Sequence, residues 1–319
     1  RCGMGWALLA VGLLLCVYTL LRHGLRRVPP PRAPPALRGR TAIVTGERRA
    51  PPGTAPVPVA EPGGCPPDPP ALPQAALCPQ ETGNAEVRFM QLDLASLRSV
   101  RAFASAFLRQ EPHLHLLINN AGVSAGGTTE DGFSLCFQVN HLGHFLLTQL
   151  LLPRLQDSAP SRVVIVASQA HCAGRLRPDT LGRPPAGLLS TFQDYCDSKL
   201  ANVLHARELA TRLQGTRVTC YAVHPGFVNT DLFRHAPLWL KPLFLPLAWL
   251  FFRDAAEGAE TSLHCAAQPG LERFSGRYFA DCRPREPWPP ARDDRLAQAL
   301  WEASERLVGL GGDGGSPLA

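Results

Sequence analysis

Lysine is almost absent from this chain of 319 residues: among its 32 basic residues only Lys199 and Lys241 are lysines. Any lysine in this sequence is therefore notable. The formal net charge of +6 is modest, and the arginines are scattered rather than interleaved with aromatic side chains. This distribution favours a solvated surface over a patch that binds nucleic acid, so we expect no nucleic-acid partner.

Paired cysteines are lacking too. The ten cysteines include no CxxC pair and no cluster of cysteine and histidine at a spacing typical of metal sites. We therefore expect no metal site. The spacing favours small buried side chains in a reducing compartment over a disulfide framework.

An uncharged apolar run at the N-terminus, residues 5–21, is followed by three arginines within six residues. At about 1.5 Å per residue the run is only just long enough to cross a bilayer. The basic residues favour a retained membrane anchor in residues 1–28, with the rest of the chain on the cytoplasmic side. A cleaved signal peptide stays open as the alternative, although its positive region would be Arg1 alone.

Proline dominates two stretches. Residues 29–36, PPPRAPPA, predict a stiff linker of the polyproline type. Residues 40–46, RTAIVTG, predict a short buried strand that ends in a tight turn. The next stretch, 47–80, holds eleven of the 32 prolines. Because proline lacks a backbone N–H, this stretch cannot form a helix interior or a central strand, and we expect it to be disordered.

From residue 81 onward strand patterns alternate with helix patterns. Strands are predicted at 86–94, 114–122, 162–168 and 217–226, and helices at 97–110, 132–155, 192–213 and 295–310. Continuous apolar strands separated by helices indicate a parallel sheet with helices on both faces. The predicted fold class is therefore α/β, and we expect the glycine-rich tail at 311–319 to be frayed.

Tyr195 and Lys199 lie one helical turn apart in YCDSK, so their side chains share a helix face. A tyrosine hydroxyl with its ordinary pKa of about 10 is a poor acid or base at neutral pH, and a neighbouring ammonium lowers that pKa. Lysine suits this task better than arginine because its compact charge directs three donors to different partners. The pair alone also fits a solvated lysine beside a half-buried tyrosine.

Polar residues and glycines follow several predicted strands. Ser168 ends one strand, NNAG at 119–122 ends the strand before it, and HPG at 224–226 ends the strand after it, while Asn140 lies on an intervening helix. The carboxyl ends of parallel strands meet at one edge of the sheet, where open α/β folds bind their ligands. The pattern therefore predicts a cofactor cleft at this edge.

Nine stretches of the chain match one family in order and spacing, among them VNHLGHFLLTQLLLP, SRVVIVASQAHCAGRL, YCDSKLANVLHARELA and VTCYAVHPGFVNTDLF. The chain resembles the short-chain dehydrogenase/reductase family, and within it the membrane-anchored retinol dehydrogenase-like branch. The resemblance covers residues 37–46 and about 81–310. It implies a dehydrogenase/reductase domain over 37–310 with a Rossmann-type, doubly wound parallel sheet.

The resemblance implies a catalytic set of four residues. Tyr195 would be the general acid that protonates a carbonyl oxygen, or the base in the reverse direction. Lys199 would lower the tyrosine pKa and hydrogen-bond the nicotinamide ribose. Ser168 would orient the substrate oxygen, and Asn140 would hold a water that links Lys199 to solvent.

The resemblance also implies a nicotinamide cofactor, with NADP(H) favoured and NAD(H) possible. Asp93 would contact the adenine, the turn at 119–122 would pack against the adenine ribose, and the segment at 225–230 would cover the nicotinamide and pyrophosphate. The positions that match the family's cofactor contacts are Thr45, Gly46, Asp93, Asn119, Ala121, Gly122, Tyr195, Lys199, Pro225, Gly226 and Thr230.

The implied activity is NAD(P)-dependent interconversion of a carbonyl and an alcohol on a lipophilic, retinoid-like substrate. The apolar stretch 236–252 would be a lid over that substrate that also touches the bilayer, with a buried helix pair as the alternative.

The expected location is the endoplasmic reticulum membrane with the catalytic domain facing the cytosol, and a homodimer through long helices is possible. We expect His141 and His144 to be packing residues and His171 to make a loop hydrogen bond.

The chain departs from the family pattern after its first strand. The pattern TGxxxGxG keeps Thr45 and Gly46, but Ala50 and Pro52 replace the next two glycines. Proline offers no N–H to a phosphate, and the second strand and its flanking helices are replaced by the proline-rich segment 47–80. That strand would lie between the first and third strands, so its loss should open a gap in the sheet. The alternative function is a catalytically inactive, membrane-tethered pseudoenzyme, or a splice or gene-model variant that lacks the phosphate-binding loop.

Overall fold

A computed structural model describes the chain at residue 37 and over residues 39–46, 87–184, 190–226 and 255–311, without the side chains of 255 and 256. The predicted anchor, the linker, the segment 47–80, the apolar stretch 236–252 and residues 312–319 lie outside the described residues. Among the helices described, none is both long and apolar enough to cross a membrane.

The six strands of the described residues form one sheet in chain order. They are β1 (Ala42–Val44), β2 (Leu116–Asn119), β3 (Ser161–Val166), β4 (Val218–His224), β5 (Tyr278–Ala280) and β6 (Arg283–Arg285). Every neighbouring pair is parallel except β5 and β6, which are antiparallel. The predicted α/β class is confirmed, as are the strands expected within 40–46, 114–122, 162–168 and 217–226.

Four helical regions match the predictions, and a further helix, Ala255–Ala267, was not predicted. The helices are α1 (Leu97–Gln110), α2 (Leu135–Phe137), α3 (Gly143–Asp157), α4 (Ser190–Arg212), α5 (Ala255–Ala267) and α6 (Asp294–Leu307). A π-helical turn, Gln138–Leu142, joins α2 to α3, so the predicted helix at 132–155 is one path with a widened turn inside it. The Ser96 hydroxyl caps α1 by accepting the Ser99 N–H, and the Asp293 carboxylate caps α6 by accepting the N–H groups of Arg295 and Leu296.

The strand predicted at 86–94 is wrong for the residues described, because 87–93 adopt no strand pairing. A strand needs a neighbour to receive its backbone hydrogen bonds. The sequence also predicted a gap in the sheet beside the first strand. The described part of the sheet shows no such gap, because β1 is its edge strand. Val44 of β1 is 60% exposed and Phe89 is 61% exposed, values that a covered central strand would not show.

Two apolar clusters cover the two faces of the sheet. Alternate residues of a strand point to opposite faces, so Leu117 joins the larger cluster and Leu116 the smaller one. Helices α1, α3, α4 and α6 supply the larger cluster, and Cys265 and Ala266 of α5 belong to the smaller one. This two-sided burial fixes the register of the strands and brings their carboxyl ends to one edge.

Candidate active site

Thr45 connects the end of β1 to the turn after β2 through hydrogen bonds. Its Oγ1 accepts the N–H groups of Asn120, at 2.9 Å, and Ala121, at 3.1 Å. The Asn120 side-chain amide donates in turn to the Thr45 carbonyl at 3.0 Å. A hydroxyl at this position therefore sets the position of the NNAG turn relative to the first strand. Gly46 follows and is exposed.

The NNAG turn brings a glycine against the predicted catalytic groups. A Cβ placed on Gly122 would lie 3.3 Å from Lys199 Nζ and 3.4 Å from Asn140 Oδ1. Glycine at this position therefore lets the turn pack closely against both groups. Asn119 is buried and donates from Nδ2 to Thr148 Oγ1 at 2.9 Å, so its side chain supports the turn from the α3 side.

Asn140 lies in the π-helical turn between α2 and α3. In this turn the N–H of Gly143 donates to the carbonyl of Gln138, five residues earlier. Such widened turns are frequent at functional sites because they re-aim a side chain within a helix. The Asn140 amide accepts the Val123 N–H at 2.8 Å and donates to the Ser198 hydroxyl at 2.9 Å. It thus links the chain beyond the NNAG turn to α4.

Ser168 and Tyr195 meet across the carboxyl end of β3. Ser168 begins the 3-10 turn Gln169–Ala173, where its Oγ accepts the Ala170 N–H at 3.2 Å. Burial raises the pKa of Tyr195 to about 12, and a side-chain hydrogen bond with Ser168 acts against that rise. The phenol therefore carries its proton at neutral pH.

Lys199 is buried within the same helix face. Its exposure is only 4%, and Nζ donates to the Val166 carbonyl at 3.1 Å. The ammonium lies 5.7 Å from the centroid of the Tyr195 ring. Burial lowers the pKa of Lys199 to about 8, so the group is mostly charged at pH 7. The net shift of the Tyr195 pKa is upward, opposite to the lowering expected from a neighbouring ammonium, because burial is the largest cause of the shift.

The remaining predicted positions fall in different places. Asp93 is exposed, and its carboxylate accepts the Ala95 N–H at 2.9 Å in the turn before α1. Pro225 and Gly226 follow β4, and Gly226 has a φ of +87°, in the left-handed region that glycine favours. Thr230 lies outside the described residues.

Histidines near the site have roles that the sequence patterns only partly indicated. His171 makes the expected loop hydrogen bond, with Nδ1 2.7 Å from the Ser168 carbonyl. His141 and His144 are both buried, as expected, and the His144 ring in addition lies 2.8 Å from Thr45 Oγ1 and 3.1 Å from the Asn140 carbonyl oxygen. The spacing of His144 one helical turn after Asn140 could have suggested this contact.

Asp194 is a buried carboxylate that the sequence patterns did not single out. It accepts a hydrogen bond from the hydroxyl of Ser134, the residue immediately before α2. Burial raises the pKa of Asp194 to about 6. The carboxylate therefore ties the residue before Tyr195 to the helix path that carries Asn140.

Comparison with known proteins places this arrangement among short-chain dehydrogenases. The family model "short chain dehydrogenase" matches residues 71–178, a stretch that does not include β1. The chain is 54% identical over 310 residues to Dehydrogenase/reductase SDR family member 13 of Bos taurus, covering 95% of this chain and 82% of that protein. It is 50% identical over 246 residues to Retinol dehydrogenase 14 of Homo sapiens, covering 75% and 73%.

Solved structures share the fold. A crystal structure of an uncharacterized protein from Mycobacterium Paratuberculosis has a TM-score of 0.57 and 34% identity, with 72% of this chain and 78% of that chain covered. The RhlG/NADP active-site complex of Pseudomonas aeruginosa has a TM-score of 0.51 and 24% identity, with 70% and 82% covered. At that identity the second likeness concerns the fold alone.

Proposed function

Because the chain belongs to the short-chain dehydrogenase/reductase family of oxidoreductases, we propose that it interconverts a carbonyl and an alcohol with Tyr195 as acid and base. The observation that carries the proposal is the meeting of three groups at the carboxyl edge of the sheet. Ser168 acts against the rise in the Tyr195 pKa, and the buried Lys199 ammonium lies 5.7 Å from the centroid of the Tyr195 ring.

A nicotinamide cofactor fits one half of the site. The Gly122 backbone packs so closely against Lys199 Nζ and Asn140 Oδ1 that a Cβ would lie 3.3 Å from the first and 3.4 Å from the second, and a glycine also lets a cofactor approach the backbone closely. Thr45, Gly46, Asn119 and Ala121 would line the remainder, with Asp93 and the segment at 225–230 farther along. NADP(H) is favoured over NAD(H) through the family resemblance. When bound, the cofactor supplies the hydride.

The protein's own residues would handle the proton and the oxygen. Tyr195 would give its proton to the substrate carbonyl oxygen in reduction and take a proton from the alcohol in oxidation. Ser168 would orient that oxygen. The Lys199 charge would favour the phenolate that Tyr195 leaves behind, and Asn140 would hold a water that returns a proton toward Lys199.

The proposed substrate is a lipophilic, retinoid-like aldehyde, ketone or alcohol. The similarity to Retinol dehydrogenase 14 supports this class, as does the apolar stretch 236–252. The run at 5–21 supports attachment to the endoplasmic reticulum membrane with the catalytic domain on the cytosolic side. A homodimer through the long helices belongs to the same proposal.

A second candidate function is a membrane-tethered pseudoenzyme without catalysis. Ala50 and Pro52 replace two glycines of the phosphate loop, and the family model matches only from residue 71. Because proline lacks a backbone N–H, a phosphate loop with proline at position 52 offers fewer donors to the cofactor and would bind it weakly. A splice or gene-model variant would leave the same signature.

Binding of NADPH and NADH to the full chain, measured by calorimetry, separates the two functions. Binding followed by reduction of all-trans-retinal, with turnover lost in Tyr195→Phe and binding retained, supports the oxidoreductase. Absence of binding supports the pseudoenzyme. In that case, exchange of 47–80 for a glycine-rich family segment should restore binding if the chain is a loop-deficient variant of an active enzyme.

A further inference from the structure

His144 lies fully inside the protein, between the end of β1 and the π-helical turn. Its side chain is 1% exposed. Nε2 lies 2.8 Å from Thr45 Oγ1, and Nδ1 lies 3.1 Å from the Asn140 carbonyl oxygen. The ring therefore bridges two positions that are 95 residues apart in the chain, one at the predicted cofactor loop and one in the predicted catalytic set.

The partners of His144 fix which ring nitrogen carries the proton. A carbonyl oxygen only accepts, so Nδ1 must be the donor to Asn140. Burial lowers the pKa of His144 to about 4, so the ring is neutral at pH 7 and Nε2 must accept. The Thr45 hydroxyl consequently donates to Nε2, at 2.8 Å, rather than to the more distant Ile118 carbonyl oxygen, at 3.4 Å, and it uses its lone pairs for the N–H groups of Asn120 and Ala121.

We propose that His144 is a positioning residue that couples the cofactor side of the cleft, through Thr45, to the catalytic side, through the Asn140 backbone. One nitrogen orients the Thr45 hydroxyl and hence the NNAG turn. The other holds the carbonyl of the residue whose side chain contacts Val123 and Ser198. The role of this bridge in catalysis rests on the proposed function, whereas the bridge itself rests on geometry alone.

The position of His144 is itself well determined. Its own carbonyl accepts the Thr148 hydroxyl at 2.7 Å, and Thr148 Oγ1 also accepts the Asn119 amide at 2.9 Å. The neighbouring His141, buried to the same degree, contacts Ser304 of α6 at 2.9 Å instead. His141 is therefore a matched control: it is a buried histidine of the same helix path without a bond to Thr45 or Asn140.

Nitrogen NMR of the full chain labelled with ¹⁵N-histidine tests the bridge without any activity assay. We expect His144, identified by the resonances lost in His144→Gln, to be neutral and protonated on Nδ1 from pH 6 to pH 9. His171 provides an internal reference because its Nδ1 also faces a carbonyl oxygen. Thr45→Val should shift the Nε2 resonance of His144 and leave that of His171 in place. A His144 protonated on Nε2, or one insensitive to Thr45→Val, overturns the proposal.

Two substitutions separate the halves of the bridge. The amide of asparagine reaches as far as Nδ1, so His144→Asn keeps a donor for the Asn140 carbonyl and loses Thr45. The amide of glutamine reaches as far as Nε2, so His144→Gln keeps an acceptor for Thr45 and loses Asn140. We expect His144→Asn to raise the NADPH Kd about tenfold while kcat stays within about threefold of the parent. We expect His144→Gln to lower kcat about tenfold while the NADPH Kd stays within about threefold of the parent.

His141→Gln should leave both constants within about threefold of the parent. Equal effects of the two His144 substitutions on Kd and kcat, or equal effects of His141→Gln, overturn the coupling. If the parent chain neither binds NADPH nor turns over, the kinetic series is run on the chain with a glycine-rich segment in place of 47–80. A parent chain that neither binds NADPH nor turns over counts against the proposed function, while the NMR experiment still shows whether His144 bridges Thr45 and Asn140.

Discussion

Replacing Lys199 by methionine should make the protein more stable while it removes activity. Lys199 is 4% exposed and carries its charge in the interior, held by one hydrogen bond to the Val166 carbonyl. That carbonyl also accepts the Asn202 amide at 3.1 Å, so it keeps a partner when the lysine is removed. Methionine fills a similar volume without a charge.

The expected gain follows from the lysine pKa. Burial lowers it from 10.5 to about 8, and about 1.4 kcal/mol per unit makes the buried charge unfavourable by about 3 kcal/mol at pH 7. Loss of the hydrogen bond offsets about 1 kcal/mol. Lys199→Met should therefore raise the free energy of unfolding by about 2 kcal/mol at pH 7.

The pH dependence has a definite sign. The unfolded chain binds more protons than the folded chain between pH 8 and pH 10.5, so the lysine's contribution to parent stability rises with pH in that window. The advantage of Lys199→Met should accordingly shrink by about 1 kcal/mol from pH 7 to pH 9. Tyr195→Phe, which changes the same site without removing the ammonium, should show no comparable trend over that range.

Urea denaturation of parent and variants at pH 7 and pH 9, followed by circular dichroism, measures both effects. Retinal reduction measures activity in parallel. A Lys199→Met protein that is less stable than the parent at pH 7, or whose difference from the parent is independent of pH, would refute the assignment of Lys199 as a buried charge.

Three further predictions concern the same edge of the sheet. Retinal reduction by the parent should fall as pH rises through about 8, where Lys199 loses its proton, and a flat profile between pH 7 and pH 9 contradicts this role. Gly122→Ala should fold normally and lower kcat about tenfold, because its Cβ would lie 3.3 Å from Lys199 Nζ; activity equal to the parent's counts against the tight approach. Gly174→Ala should instead lower thermal stability, by about 2 kcal/mol, because its Cβ would lie 2.6 Å from Leu200 Cβ, and an unchanged Tm contradicts that.

The sequence by itself determined the features that depend on neighbours along the chain. Apolar periodicity predicted α1, α4 and α6 within a few residues, since a helix face repeats every three or four positions. The spacing of Tyr195 and Lys199 on α4 placed both on one face for the same reason. The predicted strand ends share one edge of the sheet because parallel strands run in the same direction.

Tertiary structure decided what depends on contacts between distant residues. Residues 87–93 look like a strand but adopt no strand pairing, and β1 ends the described sheet. The sequence predicted that His144 is a packing residue but not which groups its ring contacts. Only the folded chain brings its two nitrogens to Thr45 and Asn140, and only burial in that fold moves the pKa values of Lys199 and Tyr195. Strand partners, hydrogen-bond partners and desolvation arise when remote segments meet, and local patterning does not encode that meeting.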